Sequence, residues 1–463
     1  TMNFKNIIEQ NKELMLKTLK ELLQIKSVLD EQNSTKEYPF GKGIDDALQY
    51  MLNLAKEDGF ETLYDDGYAG HISYGNNPSD IVGILCHLDV VPEGDNWTYP
   101  PYSATIVDDK IYARGAIDDK GPTVAAYYAL KFIKDANIKL KKEIRIILGT
   151  DEETGWRGVA HYFTKQPMPA VGFAPDSSFP LIYGEKGRMS YDLGLKHHNT
   201  CEVQNDIIVS MKGGERYNVV LDHVETLAKV DLSNEFMAYL TTNNLKGDVV
   251  KEDHLYRYVI EGVAAHAMEP EKGRNAGTYM CDFFKDYSKN TLVKYVGELH
   301  HLAHNMEKHD LYYNDYEMGP ITCNIGIIDI TKSSSRVTLD LRYPVRYDLE
   351  KYARVFKEIV EKYDLVINAS TNKKPHYVSP EDPLVVLLNE AYVKHSGDTV
   401  NKPFTVGGGT YASMMPKAVA FGPEMPNEEV LAHQRDEYFS LPTFFMSVLI
   451  YIDAIIALGE LDA

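Results

Sequence analysis

Ile81-Val82-Gly83-Ile84-Leu85-Cys86-His87-Leu88-Asp89-Val90 is an apolar run that ends in two residue types able to bind metal. A run of this length, apolar on both faces, suits a strand buried in the middle of a parallel sheet. Glu143-Ile144-Arg145-Ile146-Ile147-Leu148-Gly149 is a second β-branched run, and Asp151-Glu152-Glu153 comes directly after it. Helical periodicity covers residues 4 to about 28 and 43 to about 58, a hairpin-like stretch covers 104–114, and helices are expected over 120–136 and from about 157. The alternation predicts an α/β fold in which helices flank a mostly parallel sheet. Ligand residues just after such strands stand where open α/β sheets place their sites.

From about 187 to 377 the texture changes to alternating strands, such as Arg336-Val337-Thr338-Leu339-Asp340-Leu341-Arg342, mixed with charged helices. This part reads as a separate α+β domain. The proline-rich stretch Lys374-Pro375-His376-Tyr377-Val378-Ser379-Pro380 marks its end, and a helix resumes over 383–395.

At 463 residues the chain is too long for one ordinary core. Its 44% hydrophobic and 25% charged content are those of a globular enzyme. A formal net charge of −20 repels phosphate backbones and anionic lipids, so neither nucleic acid nor membrane is expected as a partner. Cys86, Cys201, Cys281 and Cys323 form no C-x-x-C pair, which points to reduced, mostly buried thiols. The N-terminal helix has no apolar run behind it and gives no secretory signal, so a cytoplasmic protein is expected. The apolar stretch from Phe444 to Leu458 contains Asp453 and is short for a membrane span, which suits a core helix.

Each candidate motif has two readings on its own. His87 and Asp89, two apart in extended chain, share a face, which suits a histidine ligand whose second ring nitrogen is held by a carboxylate. The same pair fits a buried, hydrogen-bonded histidine. Asp118-Asp119-Lys120-Gly121 stands at a strand-to-helix junction, where a turn can aim a carboxylate into a cleft or cap the helix. Asp151-Glu152-Glu153 is either a solvated turn or a set of acids whose repulsion cations neutralise. Gly407-Gly408-Gly409-Thr410 lacks the Gly-Lys-Ser/Thr ending of a phosphate loop. His300, His301 and His304 complete no metal motif and read as a solvated helix.

Gly83 to Pro92, Arg114 to Thr123, Gly149-Thr150-Asp151-Glu152-Glu153, Gly172-Phe173-Ala174-Pro175-Asp176, the 407–411 loop and Ala432-His433 succeed one another in a fixed order. In these residues the sequence resembles the co-catalytic di-zinc peptidase and amidohydrolase family of carboxypeptidases, aminoacylases and succinyl-diaminopimelate desuccinylase. More narrowly it is similar to the bacterial PepV-type dipeptidases, also described as carnosinase-like or Xaa-His dipeptidases, over nearly the whole chain. The resemblance implies two Zn2+ per subunit, with Mn2+ or Co2+ as substitutes. His87 and Asp176 would bind one ion, Glu153 and His433 the other, and Asp118 would bridge them. Three carboxylates against two dications leave one positive charge, which a bridging hydroxide neutralises. A cis peptide bond is implied between Asp118 and Asp119. Because His433 joins the early ligands, the catalytic domain is discontinuous, with 1–186 and 378–463 enclosing an inserted lid at 187–377.

By the same resemblance Glu152 is the general base and Asp89 supports His87, while His266 stabilises the oxyanion. Arg342 clamps the substrate's terminal carboxylate, with Asn218 and Gly408 as further contacts. Without the resemblance, His266 among alanines reads as packing and Arg342 as a surface salt bridge. The implied activity is that of a zinc-dependent dipeptidase. An N-acyl amino acid deacylase is the nearest alternative, and a catalytically silent metal- or peptide-binding protein a more distant one. The large insertion implies a monomer rather than a homodimer.

Overall fold

In the computed structural model, which describes residues 2–462, the opening run is the strand Ile81–His87, buried along its whole length. It lies between Glu143–Gly149 and Val171–Ala174, parallel to both, and Ala418–Ala420 extends the parallel set beyond Val171–Ala174. Both edges are antiparallel. The hairpin Glu61–Asp65 and Ala69–Tyr74 joins Glu143–Gly149, while Ala420 pairs with Ile182 at the other side. Central strands covered on both faces need continuous apolar runs, whereas the edge strand Glu61–Asp65 is largely open and reads as mixed polarity.

The helix Lys120–Asp135 is buried on nearly all sides and packs against Leu441–Glu460. The latter is longer than the sequence suggested, because Pro442 starts it before the apolar run begins. Its length and composition would suit a bilayer, yet most of it is buried within this fold. Tyr451 stacks on Phe173 at 5.5 Å between ring centroids, tying the helix to the parallel strands.

Chain contacts divide the molecule into one unit of residues 2–183, 378–404 and 410–462 and another of 184–377 with 405–409. The 405–409 stretch, read from the sequence as part of the catalytic domain, groups with the second unit. Lys186 N donates to Val406 O, and Arg342 Nη1 donates to Gly407 O. The second unit is built on an antiparallel sheet running from Lys246–Glu252 at one edge to Leu365–Lys373 at the other. Along Gly187–Leu195, Met189 and Leu193 enter the core while Arg188 and Ser190 are half-buried on the opposite face. The helices Ala276–Phe284, Thr291–Leu299 and Leu349–Lys362 supply residues to the same core.

His300 and His301 are not on a solvated helix. The helix ends at Leu299, and both rings turn inward, His300 onto Tyr295 and His301 onto Tyr279. The Tyr295 hydroxyl lies between His300 Nε2 at 2.8 Å and His309 Nε2 at 3.0 Å. Burial pushes the pKa of His301 and of His309 down to about 4. An unfolded histidine titrates near 6.5. Between pH 6.5 and 4 the unfolded chain therefore binds protons that the folded one refuses, and stability falls as pH falls through that window. One such histidine accounts for about 2 kcal/mol of loss between pH 7 and 5. His309→Gln is expected to flatten the pH dependence of the unfolding free energy by that amount. Urea titrations at pH 7, 6 and 5 check this, and parallel pH profiles for variant and parent would exclude His309.

Candidate metal centre

Neighbouring parallel strands end at the acids and the histidine singled out in the sequence. His87 closes its strand opposite Gly149, Glu152 and Glu153 lie in the turn after Gly149, and Asp176 comes just after Val171–Ala174. The loop before Lys120–Asp135 brings in Asp118, and the loop before Tyr438–Ser440 brings in His433. All six side chains belong to the first unit.

Asp118 is central to the geometry. Its Oδ1 lies 3.0 Å from His87 Nε2 and its Oδ2 lies 2.8 Å from His433 Nε2. Asp176 Oδ1 stands 3.3 Å from His87 Nε2, and Glu153 Oε2 stands 3.0 Å from His433 Nε2. Potential ligand atoms of His87, Asp118 and Asp176 fall within 4.8 Å of one another, as do those of Asp118, Glu153 and His433. The two triads share Asp118. A third grouping, His87 with Glu152 and Glu153, meets the same distance, and Glu152 Oε2 is 3.6 Å from His87 Nε2.

The electrostatics fit cations. Burial pushes Glu152 well above the usual carboxylate range, and the charge of Asp176 adds to it. Burial likewise raises Glu153 and Asp176, although the histidines oppose it. Asp118 goes the other way, since hydrogen bonds from His433 and His87 outweigh its burial. Crowded acids of this kind repel one another, and divalent cations relieve the repulsion. Two imidazoles with three carboxylates are the donor set that zinc accepts, and manganese and cobalt bind such donors as well.

The supporting residues explain the placement. The peptide bond between Asp118 and Asp119 is cis, as the resemblance implied. Fully buried Glu437 accepts from Ile117 N at 2.9 Å and Asp118 N at 3.1 Å through Oε2, and from Arg114 Nη1 at 2.8 Å through Oε1. Sequence reading missed Glu437, whose only local signal is its place four residues after His433. Asp119 occupies the N-cap position of its helix, but its side chain makes no capping bond and instead accepts from His87 N at 3.1 Å.

Asp89 departs from the expected arrangement. The strand ends at His87, so the i, i+2 alternation does not carry to Asp89. His87 Nδ1 lies 2.9 Å from the Asp89 carbonyl oxygen and 3.3 Å from Oδ1. The Asp89 carboxylate accepts from Glu152 N at 3.1 Å and Glu153 N at 3.0 Å, so one residue orients the histidine and the acidic turn together. Tyr411, read from the sequence only as part of the 407–411 loop and without a role, also lies at the site. Its ring meets His87 edge-on at 5.8 Å, and a Cβ at Gly149 would lie 2.0 Å from its hydroxyl oxygen, so Gly149 leaves room for it.

His266, Asn218, Arg342 and Gly408 lie in the second unit and are linked there. Met268 N donates to His266 Nδ1 at 3.0 Å, which leaves the ring proton on Nε2. Ala267 N donates to Asn218 O at 3.0 Å. His266 is exposed, and partial desolvation together with the charge of Arg342 lowers its pKa. Arg342 is not a surface residue. It is buried and forks onto Asp340, with Nε to Oδ1 at 2.6 Å and Nη2 to Oδ2 at 3.1 Å. Arg188 Nη2 reaches the same carboxylate at 3.0 Å, so two guanidinium groups share one anion. A Cβ at Gly408 would stand 3.9 Å from Arg342 Nη1.

The sequence matches peptidase family M20/M25/M40 over residues 83–457, and the chain belongs to that family. It is a hydrolase acting on peptide bonds. A Staphylococcus haemolyticus protein named "putative dipeptidase" is 38% identical over 468 residues, covering 98% of this chain and 99% of that one. Among solved structures, human carnosine dipeptidase 1 superposes with a TM-score of 0.57 at 15% identity, over 98% of each chain. Aminopeptidase PepT from Bacillus cereus gives 0.58 at 16% identity, over 97% of this chain and 99% of that one. At such identity these two show the fold alone.

Glu437→Gln removes the charge that faces Arg114 and loosens the loop that aims Asp118. Weakening of divalent-cation affinity by roughly 10- to 100-fold is expected, the usual range for a residue that orients a ligand. Titration against a competing chelator measures it, and affinity equal to the parent's would remove Glu437 from the support of the site.

Proposed function

We propose that the chain is a zinc-dependent dipeptidase. The observation that carries this reading is Asp118 shared between two ligand triads, with Glu152 beside them. His87 and Asp176 would hold one ion and Glu153 and His433 the other. Bound there, zinc would acidify a water and draw electron density from the scissile carbonyl.

The chain's own residues then divide the work. Glu153 and Glu152 are neighbours with different partners, since Glu153 is tied to His433. Glu152 is left to take the proton from water and deliver it to the departing amine. Neutral His266, with its proton on Nε2, is a donor suited to the oxyanion of the tetrahedral intermediate. Arg342, held in plane by Asp340 through Nε and Nη2, donates one Nη1 hydrogen to Gly407 O and would offer the other to the terminal carboxylate of a short substrate. Asn218 and the backbone at Gly408 complete the recognition group of the second unit, which acts as the lid.

Glu152→Ala is expected to keep its bound zinc and lose turnover by about 10²- to 10⁴-fold, the range for a general base. Metal analysis and kinetics on one preparation test this, and unchanged turnover would remove Glu152 from the chemistry. Arg342→Lys, which loses the planar fork, is expected to raise KM for dipeptides by roughly tenfold or more while leaving zinc content unchanged. Free dipeptides assayed beside N-acyl amino acids decide between dipeptidase and deacylase. Cleavage of the N-acyl compounds only would overturn the dipeptidase reading.

A further inference from the structure

A cavity of about 430 Å3 lies within the first unit, between two segments that each lead to a proposed ligand. One wall begins at Ser178, two residues after Asp176, and the other runs from Glu424 to Val430, just before His433. The two walls are stitched together by a short parallel pairing of Ser177 with Pro423 and Ser178 with Glu424. Pro180, Phe404, Met425 and Pro426 make much of the lining apolar. The volume falls within the range of small-ligand sites.

Glu424 is the chemically distinctive group in this lining. Its half-buried carboxylate accepts from Ser178 Oγ at 2.9 Å, and among the described residues no cation lies within ion-pair distance of it. Burial pushes its pKa up to about 7, and the charges of Asp176 and Asp118 add to the shift, which places Glu424 in the field of the proposed metal ligands. The other acids already have work. Asp118, Glu153 and Asp176 are the proposed ligands, Glu152 the proposed base, and Glu428 accepts from Thr443 Oγ1. A free dipeptide differs from an N-acyl amino acid by one ammonium group on the acyl side of the scissile bond. That ammonium, once taken from water, needs an anionic partner.

We propose that this cavity receives the substrate's first residue, with Glu424 pairing with the α-ammonium group and the apolar wall holding the side chain. The inference rests on the peptidase reading above and narrows its substrates to dipeptides with an unblocked N-terminus and a bulky apolar first residue. Ser178 positions Glu424, and exposed Lys402 stands at the rim.

The test uses the full-length zinc-loaded protein with Phe-Ala, Gly-Ala and 3-phenylpropionyl-Ala, which lacks only the amine of Phe-Ala. The parent is expected to favour Phe-Ala over the other two by roughly tenfold or more in kcat/KM, as for the loss of a partly buried charge pair. Glu424→Gln is expected to cut the preference over 3-phenylpropionyl-Ala by a similar factor through KM for Phe-Ala, with zinc content and melting temperature matching the parent's. Glu424→Asp is expected to restore part of it. A parent that cleaves Phe-Ala and its deaminated analogue equally well would overturn the assignment without any variant. So would a folded, zinc-replete Glu424→Gln protein with the parent's preference. A parent that cleaves no dipeptide at all overturns the peptidase reading itself, a result distinct from both.

Discussion

One carboxylate facing two histidines is the constraint on which the rest of the site depends. Asp118 can present Oδ1 to His87 and Oδ2 to His433 only if its loop is fixed from behind. Glu437 does this by taking two consecutive backbone N–H groups while its charge is balanced by Arg114. A buried ion pair of this kind contributes little net stability and a great deal of positional definition. Asp89 has the corresponding role for the other loop, holding the backbone of Glu152 and Glu153. Two acids that are not themselves proposed ligands thus set the spacing of the acids that are.

Much of this was legible because the determinants are local. A strand buried on both faces must be written as a continuous apolar run, and the residues next after His87 and Gly149 in the chain are also next to them in space. The parts that were not legible depend on partners far apart in the chain. Glu437 lies more than three hundred residues from Asp118, and no periodicity connects them. Asp89 Oδ1 does stand 3.3 Å from His87 Nδ1, but because alternation stops where the strand stops, the Asp89 carbonyl oxygen lies closer and the carboxylate is shared with the acidic turn. His300 and His301 looked solvated because a helical wheel assumes the helix continues, and it ends one residue earlier. Arg342 was read as a carboxylate clamp through the resemblance, whereas its burial and its shared hold on Asp340 with Arg188 come from register across adjacent strands.

The two units differ in how their polar groups are kept ready. In the first, acids are crowded into a buried place where their charges repel one another. In the second, the exposed His266 accepts from Met268 N through Nδ1, and Arg342 is held flat by an anion already supplied by the protein. The proposed chemistry and the proposed recognition therefore rest on opposite charge balances, one short of positive charge and the other furnished with it.

The chain order of the ligands has a consequence for how the protein is made. His87, Asp118 and Asp176 all precede the second unit, whereas His433 comes after it. During synthesis the first triad is available long before the second, which stays incomplete until the chain has passed through the whole insertion and returned. A chain broken or stalled within the second unit can assemble at most half of the proposed centre. Completion of the proposed dinuclear site would thereby be a record that the polypeptide has been made through the insertion and back.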